Sequence, residues 1–192
     1  MPGPQVVGVV TTSRADYGIY KPVLRALAAD PDFNPRLFVA GMHMSPEFGL
    51  TVSTIERDPF EIADRIECLV SSDSEEGVAS SMGLTTLRFA TSLSRNRPDL
   101  LMVLGDRYEM HAAALAAVPL RLPIVHVHGG EETENAIDNV LRHSLTKLSH
   151  LHFASTDLAR RRILAMGGGA GPGDRFGGTL ARQREKRRSP GA

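Results

Sequence analysis

The chain has a single cysteine, Cys68, among 192 residues, which excludes an internal disulfide framework and any zinc motif built on several cysteines. Charge of either sign is not in excess. Its 22 Lys and Arg offset its 22 Asp and Glu, so no overall field draws it to nucleic acid, a membrane surface or a polyanionic partner. Nowhere does it carry the roughly 18 uninterrupted apolar residues of a membrane span, and "MPGPQVVGVV" has neither the basic n-region nor the long apolar core of a secretory signal. These absences lead to the expectation of a cytoplasmic protein with no nucleic-acid or membrane partner. What remains is 42% hydrophobic composition over 192 residues, enough for one sizeable core.

Short runs rich in Val, Leu and Ile alternate with longer amphipathic segments, the pattern of repeated βαβ units and a parallel sheet. "QVVGVVTTS" reads as the first strand, and "IYKPVLRALAAD" as a helix with apolar Ile19, Val23, Leu24 and Leu27 at helical spacing. "NPRLFVAG" is expected to be a strand, "EFGLTVSTIERD" a helix, "RIECLV" a short strand and "EEGVASSMGLTTLRFATSLSRN" a long helix. "PDLLMVLGD" is a nearly continuous apolar run bounded by Pro98 and Gly105, as in a strand covered on both faces. Helix "RYEMHAAALAAVPL", strand "PIVHVH", helix "AIDNVLRHSLTKL", strand "HLHFAS" and helix "TDLARRRILAM" follow, the last with Thr156 as N-cap. One domain over residues 1–166 is expected. From residue 167 the chain changes to "GGGAGPGDRFGG", seven glycines in twelve positions, and then a basic stretch. That composition buries little and is expected to form a disordered tail without a function.

In a doubly wound sheet, ligands bind beyond the carboxyl ends of the strands. The polar residues that follow predicted strands are therefore the ones to weigh. "TSRADYG", "GDRYE" and "HGGEETE" would converge on one edge and offer Arg14, Asp16, Asp106, Arg107, His128, Glu131 and Glu132. Such a set suits a phosphorylated substrate and proton transfer, and none of it requires a metal. Five of the seven histidines fall between Val125 and Phe153. His126 and His128 share one strand face and His150 and His152 another, a spacing that raises zinc. The members would sit at different heights, with His126 and His152 inside the sheet, so buried hydrogen-bonded histidines are the preferred reading. Cys68 is expected in the core, and Met102, Met110 and Met166 are read as packing residues.

"TTSRADYG", "LGDRYEM" and "HVHGGEETENAIDNVLRHSLTKLSHLHF", in this order between about Val6 and Met166, resemble the N-terminal half of the hydrolysing UDP-N-acetylglucosamine 2-epimerases of sialic and nonulosonic acid biosynthesis. The resemblance implies an α/β fold, a Rossmann-like doubly wound parallel sheet like the N-terminal half of a GT-B fold. It implies that the family's C-terminal nucleotide-binding domain is absent from this chain. It also implies a nucleotide-sugar substrate, no cofactor and a possible homo-oligomer. The implied reaction converts UDP-N-acetylglucosamine to N-acetylmannosamine and UDP by C2 deprotonation, elimination of UDP and hydration. A lone first domain is expected to be weakly active or inactive. A non-catalytic Rossmann-like module that binds a phosphorylated or nucleotide-sugar ligand is the alternative.

By this resemblance Asp106 matches the acid of the family's "GD" motif and Arg14 the arginine after the first strand. The mammalian enzymes carry glutamate where His128 stands, so the C2 base is left open among Asp106, His128, Glu131 and Asp138. Arg107, Asp16, Arg142 and His143 are expected to bind or support the substrate. Gly18 stands where the mammalian enzymes place a serine. A plainer reading accompanies each of several residues. Ser13 and Asp16 fit a helix-start box around a solvated Arg14, and Asp106 fits a helix cap. Asp138 and Arg142 fit an i,i+4 helix ion pair worth a few tenths of a kcal/mol.

Overall fold

The computed structural model describes residues 3–70, 72, 74–134 and 136–169. Six strands form one wholly parallel sheet in the order β3-β2-β1-β4-β5-β6. They are β1 (Gln5–Thr11), β2 (Phe33–Ala40), β3 (Glu61–Ile66), β4 (Leu100–Leu104), β5 (Ile124–Val127) and β6 (Leu151–Phe153). The helices are α1 (Arg14–Ala29), α2 (Val52–Ile55), α3 (Glu75–Arg95), α4 (Tyr108–Ala117), α5 (Ala136–Leu148) and α6 (Asp157–Ala165). This is the expected Rossmann-like doubly wound sheet. Its strand order reverses between β1 and β4, which opens a crevice at their carboxyl ends.

Alternation along β1 assigns its two faces. Val7 and Val9 pack with Tyr17, Tyr20 and Leu24 of α1, while Val10 packs with Phe89 of α3 and Met110 of α4. The five alanines of α4 are all buried, and their small side chains let α4 lie close to its neighbours. The helix expected at Ile19 begins earlier, at Arg14, because Asp16 gathers the N–H and hydroxyl groups of Thr12 and Ser13. That start makes Tyr17, Tyr20 and Leu24 the inward stripe, and it leaves Ile19 and Val23 exposed.

Two elements depart from the sequence reading. The third strand lies four residues earlier than "RIECLV", because β2, its only partner in the sheet, ends at Ala40 opposite Ile66. Cys68, beyond the strand, is buried in the core as expected. "EFGLTVSTIERD" is not one helix. It holds a 3-10 turn at Pro46–Phe48 and then the single turn of α2, separated by Gly49 at φ 81° and Leu50 at φ 45°. Those left-handed residues interrupt any continuous helix. Thr156 caps α6 as expected, accepting a hydrogen bond from Ala159 N. The tail expected from residue 167 lies, from residue 170 on, outside the described residues. Among the described residues no helix is long and apolar enough to cross a membrane.

Candidate active site

The loop after β1 is organised by Asp16. Its Oδ2 accepts from Thr12 N at 2.8 Å and Thr12 Oγ1 at 2.9 Å, and its Oδ1 from Ser13 N and Ser13 Oγ at 2.7 Å and Tyr17 N at 3.1 Å. Asp16 is buried. Both of its oxygens are thus engaged inside the loop, and the side chain that reaches out is Arg14. With Ser13, Met42, Phe48, Thr51 and Arg107, Arg14 lines a cavity of about 620 Å³.

Thr51, in the lining of this cavity, contacts a residue that sequence reasoning passed over. His43, buried after β2, lies between Thr11 Oγ1, 3.0 Å from its Nε2, and Thr51 Oγ1, 2.6 Å from its Nδ1. The ring also stands edge-on to Tyr17 at 6.2 Å. Burial lowers its pKa, with the nearby Asp16 charge opposing. An isolated histidine in a loop gives no periodic signal, so only the fold reveals it.

After β4 the chain turns through Gly105, φ 71°, and divides two side chains between two groups. Arg107 turns towards the cavity. Its Nη2 donates to Glu109 Oε1 at 3.0 Å and its Nε to Glu109 Oε2 at 3.3 Å. Burial opposes the guanidinium charge, but the adjacent buried Glu109 outweighs it and raises the pKa above the ordinary value. Glu109 also escaped the sequence reading, since an acid in the first turn of a helix usually needs no further explanation.

Asp106 turns instead to a cluster centred on Arg142, whose side chain is 7% exposed. Arg142 Nη2 donates to Asp106 Oδ2 and, at 2.9 Å, to Thr133 Oγ1; its Nη1 donates to Glu131 Oε2 at 3.1 Å and to the His128 carbonyl at 2.9 Å. Thr133 Oγ1 donates in turn to Asp106 at 3.1 Å. His128 occupies the left-handed region at φ 61°, a conformation uncommon outside glycine. Its N–H bonds Phe153 O, and its Nδ1 lies 2.7 Å from Glu131 Oε1. Burial disfavours the Glu131 carboxylate, but hydrogen bonds from Ser155 and His128 and the charge of Arg142 reverse the balance and lower its pKa.

The expected helix pair between Asp138 and Arg142 is not formed, because the guanidinium is drawn across to Asp106 and Glu131. Asp138 and His143 are half-buried on α5. Among the described residues no hydrogen bond or ion pair ties either of them to the cluster, and Nδ1 of His143 is buried without a partner. The structure thus brings together Asp106, His128, Glu131 and Arg142 in one group, and Arg14 and Arg107 in an adjoining one. The Asp106–Arg107 step links the two.

Comparison with known proteins bears on what such a rim belongs to. The family model described as UDP-N-acetylglucosamine 2-epimerase matches residues 25–171. The chain belongs to that family. Among similar curated proteins is UDP-N,N'-diacetylbacillosamine 2-epimerase (hydrolyzing) from Legionella pneumophila, 39% identical over 82% of this chain and 42% of its own length. Another is GDP/UDP-N,N'-diacetylbacillosamine 2-epimerase (hydrolyzing) from Campylobacter jejuni, 36% identical over 83% of this chain and 41% of its own. The fold is similar to that of UDP-GlcNAc 2-epimerase from Neisseria meningitidis, with a TM-score of 0.71 at 20% identity over 86% of this chain and 44% of that one. The chain therefore spans about two-fifths of the length of these curated epimerases. The matched range includes Asp106, His128, Glu131 and Arg142, whereas Arg14 and Asp16 precede it.

Proposed function

We propose that the chain forms one wall of the active site of a hydrolysing 2-epimerase that acts on a UDP-linked 2-acetamido sugar, converting UDP-N-acetylglucosamine to N-acetylmannosamine and UDP. The observation that supports this most is the meeting of a carboxylate and histidine cluster with two arginines at the carboxyl ends of β1, β4 and β5. The names of the Legionella and Campylobacter relatives make UDP-N,N'-diacetylbacillosamine the second sugar to test.

The chemistry has two halves. In the first, a base takes the C2 proton, the C–H electron pair becomes the C1–C2 π bond, and the C1–O pair leaves with UDP. In the second, water gives its hydroxyl to C1 and a proton reaches C2 from the opposite face. Asp106, His128 and Glu131 are assigned the proton transfers. The contact between Glu131 and Nδ1 of His128 leaves Nε2 as the atom that exchanges protons. Arg14 and Arg107 are assigned to the departing diphosphate, which a guanidinium meets with a bidentate fork. Arg142 holds the carboxylates in place, with Asp138 and His143 flanking it on α5. Asp16 acts by shaping the loop that presents Arg14.

The 192-residue chain at high concentration, given UDP-N-acetylglucosamine in heavy water, is expected to release UDP slowly and to form N-acetylmannosamine carrying deuterium at C2. Asp106→Asn should abolish both. Binding without any UDP release by the wild-type chain would instead favour a non-catalytic module. Release unaffected by Asp106→Asn would refute the assignment.

A further inference from the structure

His126 is the most enclosed histidine of the chain and belongs to none of the groups assigned above. Its ring is fully buried on β5. An aliphatic side chain would fill that space without leaving polar atoms to satisfy, so the two ring nitrogens need an explanation. Nε2 lies 2.8 Å from the carbonyl oxygen of Gly105. A carbonyl only accepts, so Nε2 carries the proton. Gly105 is the left-handed residue that aims Asp106, and its own N–H donates to Val127 O at 2.9 Å. Two successive residues of β5 therefore hold both backbone polar groups of Gly105, the residue that presents Asp106.

The other side of the ring meets two further segments. Nδ1, an acceptor once Nε2 holds the proton, lies 3.3 Å from Thr146 Oγ1, whose single proton is divided between it and the carbonyl of Arg142 at 3.1 Å. That hydroxyl joins the ring to the turn of α5 that carries Arg142. Gly129 follows His128 and packs so closely that a Cβ there would stand 2.8 Å from His126 Nδ1, nearer than real contacts allow.

We infer that His126 is a positioning residue, whose imidazole sets the Gly105–Asp106 turn, the Gly129 turn and the Arg142 turn of α5 at fixed spacing, and thereby the geometry of Asp106, His128 and Arg142. The inference rests on the proton-transfer role proposed for that cluster. His126 meets no solvent and acts only through its neighbours. Its removal should therefore slow the chemical step and leave nucleotide-sugar binding through Arg14 and Arg107 intact.

The test compares His126→Gln with His126→Leu in the 192-residue chain. Glutamine places an N–H where Nε2 stands and keeps the bond to Gly105, whereas leucine fills the space and loses it. For His126→Leu, UDP release should fall on the order of a hundredfold, as expected for a small misplacement of reacting groups, with the KM for UDP-N-acetylglucosamine within about twofold of wild type. His126→Gln should recover most of the rate. Equal rates for wild type and His126→Leu would overturn the inference, as would a glutamine variant as slow as the leucine one. If His126→Leu does not fold, His126→Asn, which reaches Thr146 but not Gly105, replaces it. Should the wild-type chain release no UDP at all, the functional reading fails, and positioning is read by NMR. Amide signals of Gly105 and Asp106 and the guanidinium signals of Arg142 should move in His126→Leu and return in His126→Gln. Unmoved signals in the leucine variant would overturn the inference on their own.

Discussion

Arg142 resolves a local conflict of charge. Asp106 and Glu131 both face the sheet end, and a single guanidinium fork bonds both and offsets part of their repulsion. The histidines beneath resolve a different conflict, between burial and charge. Burial lowers the pKa of His126 from 6.5 to about 4, with the Gly105 carbonyl opposing and the nearby His152 and Arg142 adding to the shift. The unfolded chain takes up this proton near pH 6.5 and the folded chain only near pH 4, so between those values the unfolded state holds more protons. Stability from His126 is complete above about pH 6.5 and is lost on acidification towards pH 4, by on the order of 3 kcal/mol. His43, His111, His150 and His152 are lowered by burial as well and act in the same direction. Urea unfolding should give a clearly lower midpoint at pH 4.5 than at pH 7, and a flat profile would contradict neutral burial. Residue type and loop position pointed to Asp106, His128 and Glu131 in the sequence. The partner of Arg142 was not legible, because i,i+4 spacing favours Asp138 and only tertiary structure brings Asp106 closer. Glu109 and His43 could not be read at all, since each acts through a contact made by a distant segment.

At the scale of elements, glycine governs how α6 meets the β5 loop. Gly130 has φ 74°, and a Cβ there would lie 2.3 Å from Ala159 O. Gly130→Ala is therefore expected to cost about 2–3 kcal/mol, through backbone strain together with displacement of α6. Gly18→Ala serves as the control. Gly18 sits in α1 with open space around its Cβ position, and alanine there should stabilise by about 0.5–1 kcal/mol. Thermal midpoints of the two variants should move in opposite directions. The span of α5 was legible to the residue because its polar and apolar positions alternate with a clear helical period. β3 was not, since an edge strand in which charged and apolar residues do not alternate carries a weak pattern, and its end is set by its neighbour β2.

For the whole molecule, topology restricts where a ligand can act. All six strands point one way, so the loops at their carboxyl ends share a rim and those at their amino ends share the opposite one. Hydrogen exchange measured with and without UDP-N-acetylglucosamine should show protection gained within residues 12–16, 42–51, 105–109 and 128–133, and none within 30–33, 97–99 and 120–123. Protection confined to the latter group would place the ligand at the wrong end of the sheet. The alternation of strand and helix made this layered arrangement readable from sequence before any contact was known.

The central position of β1 has a consequence for how the chain is made. Its neighbour β2 arrives after a single helix, but β4 is far along the chain, and the hydrogen bond from Val6 N to the Asp99 carboxylate spans 93 positions. At ribosomal speeds of about 5–20 residues per second, one flank of this valine-rich strand waits bare for about 5–20 s. A nascent chain paused before Leu100 would offer that flank to other nascent strands, so slow codons ahead of β4 would be expected to lower the yield of soluble protein.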